Sequence, residues 1–178
     1  MARLVRGMAA GLLAGLAASW VMNQFAELQP VHPPHGNGGR PKRKGRARPS
    51  KQQSAKPDAA EDDATGKTAV AISRKVFHHD LSPREKQIAG PLVHYGYGSL
   101  IGAVYGGLAE LLPFVSAGLG LPFAFVLWLL GDEVAVPALG LAKPPMHYPP
   151  AVHADALSAH FMYGLTVDLL RRVLRHLL

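Results

Sequence analysis

Residues 90–113 read GPLVHYGYGSLIGAVYGGLAELLP, and no other stretch limits the possible folds as much. A Gly-Pro pair opens it and Pro113 closes it. Between them lies one acid, Glu110, and no Lys or Arg. At about 1.5 Å per residue, a helix over residues 91–112 matches the roughly 30 Å hydrocarbon core of a bilayer. Gly98, Gly102 and Gly106 recur at every fourth position. Helices in lipid gain nothing from apolar burial against each other, so close backbone approach at small residues is what joins them. In water each glycine, Gly107 included, would weaken the helix by about 0.8–1 kcal/mol relative to alanine. Their abundance fits a helix pressed against a neighbour in a membrane.

A second ladder lies near the start. Arg3 and Arg6 precede an apolar run over residues 7–25, in which Gly7, Gly11 and Gly15 repeat the same spacing. A cleaved signal peptide is the competing reading. The run is long for a signal, and no clean A-x-A site follows it, so residues 1–27 are expected to form a retained first transmembrane helix. The two ladders could pack against each other.

Residues 28–67 are different material. They lack hydrophobic periodicity and are rich in Pro and Gly, with a basic run over residues 40–51 and a short acidic patch over 61–63. Of the 19 Lys and Arg in the chain, most fall in residues 40–86, so the formal charge of +7 belongs to a loop rather than to a folded basic face. Such a segment cannot bury enough surface to offset its ordering entropy and is expected to be a disordered basic linker. The favoured reading of the basic run is a solvated tether, with contact to anionic lipid as the alternative. No aromatic residue is interleaved to stack on bases, which argues against nucleic acid.

Residues 68–89 are expected to form short amphipathic helices at the bilayer interface. Ser82-Pro83-Arg84-Glu85 is a helix start, with Ser at the cap, Pro first and Glu third. Gly90-Pro91 is expected to end that helix and open the membrane one. After an uncharged turn, residues 119–136 give a third span, with Asp132 and Glu133 near its end. Five prolines between 137 and 150 mark an irregular loop. Residues 152–172 form a fourth span, less apolar, followed by arginines that suit an interface.

Charges inside a bilayer are costly and mark functional sites by default. The candidates are His94, Glu110, Asp132, Glu133, His160 and Asp168. If their helices meet, imidazoles and carboxylates converge, able to relay protons or hold a cation. The structural reading is that each acid reaches water near a helix end, and that Asp168 pairs with Arg171 or Arg172. His153, Asp155 and His160 lack any recognised metalloprotease spacing. There is no cysteine, and no phosphate-binding loop or nucleophile elbow. No metal, cofactor or enzymatic activity is expected.

His94, Tyr105, Ala109-Glu110, Pro113, the 137–141 PALGL run, Pro144-Pro145, His160 and the 168–172 DLLRR run together resemble the YagU-like family, also called DUF1440. The likeness is good from Arg74 to the C-terminus and loose over the first helix. It implies a small multi-pass protein of the bacterial inner membrane, of unknown activity, with a loose association with acid tolerance and no established catalytic residues.

The expected fold is therefore an all-α integral membrane bundle of four transmembrane helices with a long disordered basic loop. Its partners are the lipid bilayer and, through the glycine ladders, a second copy or another helix. Two functions fit: an oligomeric channel or transporter-like protein using the His/carboxylate cluster, or a non-conducting membrane scaffold. Terminal arginines favour cytoplasmic termini and the basic loop favours the reverse, but that loop is long enough for charge to lose its hold on orientation.

Overall fold

In the computed structural model, residues 1–29 and 64–178 are described. The basic run at 40–51, and most of the linker expected to be disordered, lie outside the described residues. Everything described is helix, turn or short connection, with no strand.

Helix α1 spans Ala2–Leu28. Helix α2, Ala64–Ile72, passes into a wide turn at Ser73–Phe77 that ends at His78 with a left-handed φ of 54°. Helix α3 is Pro83–Leu111. A tight 3-10 segment, Pro113–Gly120, leads into helix α4, Leu121–Trp128. That helix continues through a π-helical stretch, Leu129–Ala135, and a last α-turn at Val136–Ala138. Helix α5 spans Pro150–Leu177.

Three boundaries differ from the sequence expectation. Residues 64–67 belong to α2, not to a linker. The reason is docking: Gly66 and Ala69 are buried, Gly66 lies against Gly90, and Lys67 Nζ donates to Leu141 O at 3.2 Å. Second, Gly90-Pro91 does not divide residues 68–89 from the span; α3 runs through Pro91 without a break. A proline ring collides with the Cβ of the residue before it, and Gly90 has none. Third, the expected turn after Pro113 opens with a short 3-10 stretch before its backbone leaves helical values at 117–119. Its chain reversal comes from three successive positive φ values, at Gly118 (63°), Leu119 (56°) and Gly120 (76°). The start of α3 is as its sequence dictates. Ser82 Oγ accepts from Glu85 N at 3.3 Å, and Ser82 N donates to Glu85 Oε2 at 2.7 Å.

The long segments alternate in direction. Gly7 faces Gly106, Gly11 faces Gly102 and Gly15 faces Gly98, so α1 and α3 are antiparallel. Gln29 Nε2, after the end of α1, donates to Asp155 O and Ser158 Oγ in the first turns of α5, so α5 is also antiparallel to α1. Helix α4 packs along α5, where Gly120 and Gly164 make a further close approach.

Along the α1–α3 seam the partner's backbone stands where a side chain would be. A Cβ on Gly102 would strike Gly11 O and Gly15 Cα. The interior is made of small residues and two tyrosines: Ala14, Ala18, Tyr105, Tyr163 and Val167 are buried. Tyr163 donates to Gly98 O at 2.6 Å, and Ser19 Oγ to Gly15 O at 3.0 Å.

The large apolar residues are on the outside. Met8, Leu12, Leu13, Leu16 and Trp20 of α1 are exposed, as are Leu92, Leu100 and Val104 of α3 and Phe125, Val126 and Leu130 after the reversal. By length and composition Ala2–Leu28 and Pro113–Ala138 reach what a membrane crossing needs, but the second contains the reversal at 118–120, so its continuous helix begins at Leu121. Helices α3 and α5 have the length, at 29 and 28 residues. The glycines and tyrosines of α3, and the charged residues of α5, dilute their apolar character.

Candidate functional site

The six polar residues named from sequence do not form one cluster. The alternation of directions sends Glu110 and Asp168 to one end of the bundle and Asp132, Glu133 and His160 to the other; His94 lies on α3 with its ring edge-on to Tyr95, centroids 5.7 Å apart.

At the end holding both termini, Glu110 meets three arginines. Arg175 Nε lies 2.7 Å from Glu110 Oε1, Arg171 Nη1 3.4 Å from the same oxygen, and Arg3 Nε 3.7 Å from Oε2. The Glu110 side chain is 3% exposed. Asp168, fully buried, is held by Arg172 Nη2 at 2.8 Å and Arg171 Nη2 at 3.4 Å. Arg172 also donates to Ser116 O at 2.9 Å, tying α5 to the 3-10 segment. Arg171 is thus a buried cation shared by two acids from different helices, with its guanidinium 5.7 Å from the centre of the Tyr105 ring.

This arrangement follows from local sequence. Ala159, Tyr163, Val167 and Arg171 fall at every fourth position of α5 and are all buried. Asp168 sits one residue on from that stripe, so Arg171 and Arg172 reach it from one turn further along. Glu110 lies one turn beyond Gly106 on the close-packed side of α3. Charges this deep must be paired. Even so, Arg171 Nε is buried without a hydrogen-bond partner. A cavity of about 420 Å³ opens beside it, lined by Arg3, Glu110, Ser116, Arg171, Arg172 and Arg175 among others.

At the opposite end, the π-helical stretch carries Asp132 and Glu133. In a π turn each hydrogen bond spans one more residue than in an α-helix, and such turns are frequent at functional sites. His153 Nδ1 lies 2.7 Å from Glu133 Oε1, and its Nε2 lies 3.1 Å from Pro145 O. Both partners only accept, so the ring is fully satisfied only as an imidazolium. His160 Nδ1 donates to Ala156 O at 2.9 Å and stands 3.8 Å from Asp132 Oδ2. Among the described residues, no group of three or more His, Asp or Glu is placed to hold a metal ion.

Sequence reasoning gave the arginines too little weight. It treated Arg175 as an interfacial anchor and did not pair it with Glu110. It also passed over Arg3, Tyr105 and Tyr163 as partners. The fourth-residue spacing that ends in Arg171 was the available signal for the buried cation.

A family profile described as a protein of unknown function (DUF1440) matches residues 46–169. No curated protein and no solved structure matches the chain. The profile spans well over half of the sequence, including α2 to α4 and most of α5; the chain belongs to the DUF1440 family.

Proposed function

We propose that the chain is a four-pass protein of the bacterial inner membrane, working as a non-conducting packing and assembly module, with both termini in the cytoplasm. Its spans are α1, α3, the helical stretch that follows the reversal (residues 121–138) and α5. What carries this reading is the distribution of size: glycine and alanine inside, leucine, valine and phenylalanine outside. A protein in water has little reason to turn so many large apolar residues outward, whereas lipid is as good a solvent for them as a core. The non-conducting role is supported by the α1–α3 seam, where backbone meets backbone and leaves no side-chain space. Because the two ladders occupy each other, a second copy or another helix is met by the outward apolar faces.

The chain has no cysteine, so single introduced cysteines report cleanly on exposure. In inverted vesicles, a membrane-impermeant maleimide is expected to label Ala2→Cys and Leu178→Cys but not Pro149→Cys. In spheroplasts the pattern reverses, and Leu12→Cys is labelled from neither side. Labelling of Leu12→Cys as fast as Leu178→Cys from either side overturns the reading.

One observation favours a second reading, proton handling: the two histidine–carboxylate pairs at the π-helical end. A relay there predicts that proteoliposomes carrying the protein dissipate a pH gradient faster than empty ones. His160→Ala and Glu133→Gln would then each abolish the excess. Equal decay with and without protein removes this reading and leaves the first.

A further inference from the structure

The geometry points to the arginine-lined cavity at the terminal end as a binding site for a phosphate-bearing anion, the headgroup of an anionic phospholipid. This rests on the reading of the chain as membrane-spanning.

The first argument is charge. Arg3, Arg171, Arg172 and Arg175 stand around Glu110 and Asp168, four cations to two anions. Two positive charges remain uncompensated beside an open space of about 420 Å³. That excess matches the charge of one or two phosphate groups, and the guanidinium fork suits phosphate oxygens.

The second argument is that helix ends do not account for all of these arginines. The C-termini of α3 and α5 lie at this end, and their partial negative charge favours nearby cations. Arg3 does not fit that explanation. It sits in the first turn of α1, where the helix dipole is positive and a cation is unfavourable. Its side chain is 80% exposed, so it keeps donors for a ligand after its 3.7 Å approach to Glu110. The side chains of Arg172 and Arg175 are 48% and 36% exposed. Deeper in, Arg171 lines the cavity with its Nε still without a partner.

The third argument concerns the apolar residues next to the lining in sequence. Leu111, Leu112 and Phe114 adjoin the lining residues Glu110 and Pro113 along the chain and are exposed, as is Val173 next to Arg172. A free phosphate has no use for exposed apolar side chains at this end of the bundle. A phospholipid has acyl chains to lay along them while its headgroup meets the arginines, the arrangement by which basic pockets between membrane helices hold lipid headgroups.

The test uses the full chain in neutral detergent micelles, with thermal unfolding as the readout. Three additives are titrated separately: phosphatidylglycerol, phosphatidylcholine and inorganic phosphate. Phosphatidylglycerol is expected to raise the unfolding temperature saturably, and the other two are not. Each arginine contributes about 1 kcal/mol near an anionic lipid surface, or about fivefold in affinity. Arg3→Gln is therefore expected to raise the half-saturating phosphatidylglycerol concentration about fivefold, and Arg3→Gln/Arg175→Gln about 25-fold. Should the double variant fail to fold, Arg3→Gln alone decides, since the Arg3 side chain is mostly exposed. Equal stabilisation by phosphatidylcholine overturns the proposal, as does an unchanged half-saturation in Arg3→Gln. Saturable stabilisation by inorganic phosphate at matching concentrations overturns the lipid as source. A chain that stays dispersed without detergent would instead sink the membrane reading, a different outcome from any of these.

Discussion

Gly102→Leu is expected to unfold the helix pair rather than strain it. Over-packing a core ordinarily costs about 1–3 kcal/mol, because neighbouring side chains move aside. Here the neighbours are Gly11 O, Gly15 Cα and Gly15 N, which are backbone and cannot rotate away. The side chain fits only if α1 and α3 separate, which also withdraws the contacts of Gly7 with Gly106 and Gly15 with Gly98. The loss should lie at or above the upper end of that range. Denaturant titration in mixed micelles, followed by circular dichroism, measures it. The control is Gly96→Ala on the same helix, where a Cβ meets nothing within 4 Å. That variant is expected to be neutral or slightly stabilising. If Gly102→Leu matches it, the seam is not as described.

The second large effect is expected at Asp168. Asp168→Leu leaves Arg171 buried with only Glu110, itself shared with Arg3 and Arg175. Removing one partner of a buried pair costs about 3–5 kcal/mol, because the remaining charge is uncompensated. The contact with Arg172 adds little to this, since that arginine is half exposed and water screens it. The distinguishing variant is Asp168→Leu/Arg171→Leu. Removing both charges also removes the desolvation penalty, and apolar replacements of a buried pair are often neutral or better. The double variant should recover most of the stability lost in the single one, by the same denaturant titration. A double variant less stable than Asp168→Leu would mean that Arg171 stabilises the fold through Tyr105 and Glu110 rather than through Asp168.

The helical class and both ladders were legible because each depends on one local periodicity. Glycine at every fourth position needs no knowledge of the fold to be seen. What makes Gly102 critical, its placement opposite Gly11, needs the antiparallel register. The misread boundary at Pro91 came from applying a sound rule about proline without its neighbour; Gly90 lacks the Cβ that the rule assumes. Residues 64–67 look like linker because their helix is stabilised by docking on α3 rather than by their own composition. The polar residues were identifiable one at a time, since any acid in an apolar run stands out. Their partners were not. Arg175 reaches Glu110 only because α3 and α5 run parallel with their ends level, a fact of assembly far apart in sequence. For the same reason one expected cluster became two: Asp132 and Glu133 lie at the far end of a helix that starts beside the arginines.

The pairing of Gly7 with Gly106 has a consequence for biogenesis. About 100 residues of chain separate them, and ribosomes add about 5–20 residues per second. The amino-terminal helix is therefore complete about 5–20 s before its mate is made. During that wait its bare backbone stripe has no partner, and synthesis itself sets how long the half-built protein stays open to the wrong neighbour.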